Sequence, residues 1–183
     1  MPRARRARIL SKQAIQQVHS GAVKEAEEKL EKAASLIEEI DGHLIDRPEL
    51  MRFDTITAAH QEYAEARIIF SLTEYGEFPD PEAVGVSITA YILGLADVPG
   101  ELRRQTLDAL RTDDFEAAEA LLGTMERIYL SLIAMEEASL LKGLRRKTDI
   151  ARGVTERTRS DVTAEAGRRR LNESVRRLTE KLD

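Results

Sequence analysis

Two acidic residues interrupt a stripe that is otherwise apolar. Helical spacing places Glu62 and Glu65 on one face together with Ala58, Ile69 and Leu72. A face of that composition is expected to turn toward the core, so its two carboxylates are expected there as well. Acid pairs on faces that also carry lysines, which occur elsewhere in this chain, indicate only a solvated surface.

A second acid pair occurs in the next predicted helix. Asp97 and Glu101 share a predicted face with Val86, Ala90 and Leu93. The two pairs therefore point toward the core side of adjacent helices. Burying even one ionised carboxylate without a partner costs several kcal/mol, so four that converge require cations or protonation.

The cation that such a set of acids selects is a hard divalent ion. Mg²⁺ and Mn²⁺ prefer carboxylate oxygen, whereas a set without cysteine or histidine disfavours zinc. The bases nearby in sequence are Arg67, Arg103 and Arg104, and none lies between the members of either pair. The residues thus predict a Mg²⁺ or Mn²⁺ site, which can activate water and stabilise a phosphodiester under attack. A structural or coincidental cluster of acids is the alternative that the residues leave open.

The histidines and serines offer no comparable pattern. His60 lies roughly opposite Glu62 on its helix, and His19 and His43 fall in predicted turns. No serine stands in a Gly-x-Ser-x-Gly context, and the chain has neither a P-loop nor a dinucleotide fingerprint. With zero cysteines, the chain also lacks disulfides and a thiol nucleophile.

Apolar residues recur at helical spacing in six stretches, which predicts an all-α fold in a single domain, 1–183. Asp41-Gly42 is expected to end the second helix, Pro99-Gly100 to kink the fourth, and Gly167 to interrupt the last. Residues 76–81 are expected to break the chain between the third and fourth helices. The predicted helices cover residues 7–18, 22–40, 49–74, 81–111, 115–138 and 139–182.

The net charge of −5 conceals an uneven distribution of charge. Residues 1–8 carry +4, residues 9–141 carry −15 and residues 142–183 carry +6. Basic ends on an acidic body can bind a polyanion, and with only 4% aromatic residues that binding is expected to be largely electrostatic. The arginines predicted to contact the phosphates of such a polyanion are Arg3, Arg5, Arg6, Arg8, Arg103 and Arg104.

The remaining features concern location and assembly. No stretch approaches the ~18 apolar residues of a membrane span, and no signal-like apolar core follows the basic start. We therefore expect a cytoplasmic protein without a membrane partner. The last predicted helix ends in a heptad repeat that is typical of packing against another subunit, at Leu171, Val175, Leu178 and Leu182.

Three stretches of the chain resemble the translin family, specifically its translin-associated factor X branch and archaeal relatives. They are residues 61–66 (Gln-Glu-Tyr-Ala-Glu-Ala), residues 91–104 around Asp97, and the basic helix of residues 147–170. The resemblance implies about seven helices in a long antiparallel bundle. It further implies a hollow, octamer-like homo-oligomeric shell that binds single-stranded or partly structured RNA.

The resemblance also implies an activity. In the translin-associated factor X branch, acids at these motif positions bind the metal of an endoribonuclease, and here they are Glu62, Glu65, Asp97 and Glu101. All four positions are acidic, which predicts a Mg²⁺- or Mn²⁺-dependent enzyme. Two alternatives stay open, a MazG-like nucleoside triphosphate pyrophosphohydrolase and a non-catalytic translin-like RNA-binding shell.

Overall fold

Helices are the only regular elements within residues 2–136 and 141–181, the part of the chain that the computed structural model describes. This confirms the predicted all-α class, with seven α-helices longer than one turn in the described part. The α-helices are α1 (Pro2–His19), α2 (Val23–Asp46), α3 (Asp54–Tyr75), the single-turn α4 (Pro81–Val84), α5 (Ile88–Leu95), α6 (Val98–Arg111), α7 (Phe115–Glu136) and α8 (Leu144–Thr179), with a 3₁₀ turn at Pro48–Arg52.

Contacts divide the chain into two compact units, Met1–Val98 and Pro99–Asp183. In the first unit α1 and α2 form a hairpin, α1 also packs on α3, and α5 packs on α3. The buried faces of α1 and α2 are rich in small side chains, which let helices approach closely. Fully buried alanines on these two faces are Ala7, Ala14, Ala26 and Ala33. The prediction of one domain over residues 1–183 stays a prediction.

The second unit is built on the pairing of α7 with α8. Asp114 caps α7, because its Oδ1 accepts a hydrogen bond from the Ala117 backbone nitrogen at 3.0 Å. The face of α7 turned toward this pairing is apolar and buried at Leu122, Met125, Ile128 and Leu132. Beyond this core the end of α8 is exposed from residue 171 to 180.

Several predicted helix ends are wrong for identifiable reasons. The helix predicted to stop at Asp41-Gly42 continues to Asp46, because Gly42 does not adopt the positive φ that ends helices. Gly167 likewise lies inside an unbroken α8. The first helix begins at Pro2 rather than Ala7. The predicted boundaries at Ala138, Ser139 and Leu182 lie outside the described residues.

The fourth predicted helix, 81–111, is three helices in the structure. Gly85 ends α4 with φ +73°, and Ser87 caps α5, its hydroxyl oxygen accepting from the Ala90 backbone nitrogen at 3.2 Å. The second break falls at residues 96–97, ahead of the predicted kink, because Pro99 lies in the first turn of α6, where proline is tolerated. In the described residues no helix combines the length and apolarity that crossing a membrane requires.

Candidate functional site

The site begins with a close approach between the backbones of α5 and α3. A Cβ atom on Gly94 would lie 2.7 Å from the Gln61 carbonyl oxygen and 2.9 Å from the Glu65 backbone nitrogen. Both distances are shorter than carbon contacts allow, so glycine is the residue that fits at this point of α5. The contact presses α5 against the turn of α3 that carries Glu62 and Glu65.

Asp97 follows three residues after Gly94 and therefore reaches the same turn of α3. The Gln61 side-chain nitrogen donates a hydrogen bond to Asp97 Oδ2 at 2.6 Å. Asp97 also donates its backbone N–H to the Gly94 carbonyl at 2.9 Å. The structure thus places Asp97 against the residue that precedes Glu62.

The predicted helix face shared by Val86, Asp97 and Glu101 is wrong in its geometry. Helix α5 ends at Leu95, so Asp97 belongs to the connection before α6 and not to a helix. Glu101 lies in the first turn of α6, in the second compact unit. Asp97 comes near α3 through the Gly94 contact, and helical periodicity does not bring it there.

The carboxylate of Glu62 is paired with two cations of α1. Arg8 Nε lies 3.3 Å from Oε2, and Lys12 Nζ lies 3.4 Å from Oε1. The Glu62 side chain is 17% exposed, whereas those of Arg8 and Lys12 are about half exposed, at 47% and 57%. Both cations lie 50 or more residues before Glu62 along the chain, so nearness in sequence does not reveal these pairs.

Glu65 is partly buried one turn after Glu62, and Glu101 is partly buried as well. Both make polar interactions in the structure. Across residues 2–136 and 141–181, no three histidine or acidic side chains lie together in a group that could hold a metal ion. The donor set itself is all oxygen, which suits a hard divalent cation.

The predicted RNA-binding arginines differ in what they contact. Arg3 is paired with Glu39 at 2.6 Å, and Arg5 and Arg6 are exposed on α1. In the second unit, Arg103 reaches Thr158 and Asp161 of α8. Arg104 is exposed.

Arg103 forms a tie between α6 and α8. Its guanidinium donates to Thr158 Oγ1 at 3.0 Å and lies 2.9 Å from Asp161 Oδ2. Thr158 is fully buried, and Arg103 is largely covered. These contacts give Arg103 a structural role, whereas exposed Arg104 has its side chain available to a ligand.

His60 is a buried link between helices. Its Nδ1 lies 2.9 Å from the Ile56 carbonyl oxygen, and its Nε2 lies 2.8 Å from Asp41 Oδ1 on α2. The two other histidines were expected in turns, but His19 is the last residue of α1 and His43 lies within α2. The second placement follows from the continuation of α2 past Gly42.

Two tyrosines near the site carry perturbed hydroxyls. Burial raises the pKa of Tyr63, an effect that nearby Arg67 partly offsets and Glu38 increases. Burial also raises the pKa of Tyr91, and the Asp80 carboxylate raises it further. The Tyr91 hydroxyl donates to the Pro79 carbonyl at 2.8 Å, which fastens α5 to the preceding loop.

Comparison with known proteins decides the family. No family model matches the chain. An uncharacterised protein of Methanocaldococcus jannaschii, MJ0175, is 31% identical over 166 residues, which cover 90% of this chain and 73% of that protein. The protein in the crystal structure of AfC3PO is 38% identical in sequence to this chain. The two structures match with a TM-score of 0.82 over 92% of this chain and 88% of that one. The chain belongs to the translin family.

Two further structures agree with this placement among translin and C3PO proteins. A complex of AfC3PO with duplex RNA matches with a TM-score of 0.83 at 37% identity, covering 92% of this chain and 87% of that one. The structure of apo-NeC3PO matches with a TM-score of 0.81 at 25% identity, covering 90% and 86%. The translin resemblance that the motifs predicted is thereby confirmed, together with the translin-type helical fold.

Proposed function

We propose that this translin-family protein is a Mg²⁺- or Mn²⁺-dependent endoribonuclease of the cytoplasm. It would bind single-stranded or partly structured RNA and cleave its phosphodiester bonds by hydrolysis. The observation that carries the proposal is the Gly94 contact, which sets Asp97 beside the α3 turn of Glu62 and Glu65. Glu101 follows Asp97 by four residues.

In this proposal the four acids bind the metal ion, and neighbouring residues position them. Glu62, Glu65, Asp97 and Glu101 would hold the ion, which when bound supplies Lewis-acid stabilisation and an activated water. Gln61 orients Asp97 by donating a hydrogen bond to its carboxylate oxygen Oδ2. The Gly94 contact holds α5 and α3 at a fixed separation, which would limit the movement of Asp97 relative to the α3 turn of Glu62 and Glu65.

RNA binding is supported by the relative AfC3PO, whose structure includes a complex with duplex RNA. In this chain, exposed arginines supply the charge that phosphates require, and Arg5, Arg6 and Arg104 are among them. Such contacts fix the position of the RNA backbone and carry little sequence information. We therefore propose weakly sequence-specific binding.

Assembly into a homo-oligomeric, octamer-like shell is part of the proposal. The exposed end of α8 offers apolar Leu171, Val175 and Leu178, each at least half exposed, to a second copy of the chain. Native mass spectrometry of the full chain measures the assembly directly. A monomer at micromolar concentration would contradict a shell.

The proposed cleavage is tested by removing single carboxylates without changing their shape. Glu65→Gln and Asp97→Asn are each expected to lower Mg²⁺-dependent RNA cleavage by about 100-fold or more, because each removes a charged ligand. Glu28→Gln is the matched control, since Glu28 is an exposed α2 acid that pairs with Lys32 at 3.6 Å. Cleavage of an end-labelled RNA oligonucleotide is measured with and without Mg²⁺.

The outcomes separate the alternatives. Retained cleavage by folded Glu65→Gln or Asp97→Asn would overturn the role of the acids. RNA binding without any metal-dependent cleavage by the wild type would favour the non-catalytic shell. Hydrolysis of deoxynucleoside triphosphates in a parallel assay would favour the pyrophosphohydrolase.

A further inference from the structure

Glu62 carries a cation at each of its carboxylate oxygens. Arg8 Nε faces Oε2 at 3.3 Å, and Lys12 Nζ faces Oε1 at 3.4 Å. Arg8 and Lys12 are four residues apart on α1, so they lie one turn apart on one face of a helix that packs on α3. The two cations therefore cover both oxygens through which Glu62 can bind a ligand.

The two sides of these ion pairs differ in freedom. The Glu62 side chain is 17% exposed, while the Arg8 and Lys12 side chains are 47% and 57% exposed. Long exposed side chains gain rotamer entropy when they leave a contact, and water solvates their charge. A largely covered carboxylate has no comparable rotamer freedom. When the ion pairs break, the Arg8 and Lys12 side chains are therefore the ones that move away.

We infer that Arg8 and Lys12 are resident counter-ions of Glu62 that a divalent metal must displace. The inference rests on the proposed function, because it takes Glu62 as a metal ligand. It adds a determinant of metal affinity that lies 50 or more residues away in sequence, on a helix that supplies no metal ligand. The pair lowers the affinity of the site for metal and stabilises the acid until metal arrives.

The competition is measurable as a change in the affinity for Mn²⁺. The probe is Mn²⁺ alone, titrated into the full-length chain and followed by the electron paramagnetic resonance signal of the free ion. Arg8→Gln/Lys12→Gln is expected to bind Mn²⁺ about tenfold more tightly than wild type, given the usual strength of two partly exposed ion pairs. Each single variant is expected to give about threefold.

Two controls separate direct pairing from a general change of field. Arg5→Gln removes the same charge one turn earlier on α1 and is expected to change the Mn²⁺ affinity by less than about twofold. In a Glu62→Gln background, adding Arg8→Gln and Lys12→Gln is expected to have no further effect, which completes a double-mutant cycle. Circular dichroism checks that each variant is folded.

Each outcome decides the inference. Tighter Mn²⁺ binding that requires Glu62 supports it, including the case in which only the double variant binds measurably. Equal affinities in wild type and double variant, with binding still dependent on Glu62, overturn the inference and leave the proposed metal site standing. Absence of Mn²⁺ binding in the wild type and every variant overturns both.

Discussion

Gly94 is the single residue on which the candidate site most depends. Substituting alanine places a Cβ within 3.0 Å of backbone atoms of α3, which cannot rotate away. We expect Gly94→Ala to lower the free energy of unfolding by about 1–3 kcal/mol, as overpacking does, and to lower metal affinity as well. Urea unfolding and Mn²⁺ titration measure the two effects.

The matched control for Gly94 is a helical glycine without a close neighbour. A Cβ on Gly167 of α8 would meet no atom within 4 Å. Gly167→Ala is therefore expected to raise stability by about 0.5–1 kcal/mol, because alanine has the higher helix propensity. A stable Gly94→Ala variant with unchanged metal affinity would contradict the role given to the contact.

At the residue scale, the unusual carboxylates could be predicted from the sequence, but the side chains that they pair with could not. The unusual position of Glu62 and Glu65 could be predicted, because a carboxylate in an apolar stripe departs from helical patterning. The pairing of Glu62 with Arg8 and Lys12 could not, since it joins residues of different helices. Gln61 stood in the motif, but its bond to Asp97 depends on where α5 ends.

At the scale of elements, a tyrosine hydrogen bond holds α5 against the preceding loop. Tyr91 donates to the Pro79 carbonyl and is mostly buried, so its hydroxyl stabilises the fold only while it is protonated. Burial and Asp80 raise the pKa of Tyr91 above its ordinary value of about 10. The stabilisation is therefore complete below pH 10 and is lost as the pH rises through the raised pKa.

We expect Tyr91→Phe to cost about 1 kcal/mol of stability at pH 7–9. The difference from wild type should shrink above about pH 10. In that range the Tyr91 hydroxyl ionises in the unfolded chain before it ionises in the folded protein, which favours unfolding of the wild type. Urea unfolding between pH 7 and 11 measures this. Tyr75→Phe is the control for the loss of a tyrosine hydroxyl, since Tyr75 is 67% exposed.

Helix type was predictable throughout, whereas several helix ends were not. Asp41-Gly42 carries a local stop signal, yet the chain stays helical there. Asp41 Oδ1 lies within hydrogen-bonding distance of His60 Nε2 on α3. A tertiary contact of this kind does not show in the local sequence. The break at residues 76–81 was predictable, because Gly76 adopts φ +72° and two prolines follow.

At the scale of the whole molecule, charge should govern RNA affinity despite the net charge of −5. We expect Arg104→Gln to weaken RNA binding and to lower the slope of log Kd against log salt by about 0.7, the value for one phosphate contact on a single strand. Fluorescence anisotropy with a labelled RNA at several salt concentrations measures the slope. Arg127→Gln, an exposed arginine of α7, should leave it unchanged; an equal loss would contradict a specific contact.

The small buried side chains of α1 and α2 determine which substitutions the first unit can accept. Ala7, Ala14, Ala26 and Ala33 have little volume to lose, so shortening them leaves almost no cavity. Lengthening them forces two closely packed helices apart, and α3, which packs on both, must shift with them. At these positions, substitutions during evolution are thus limited by how much side-chain volume can be added rather than by how much can be removed.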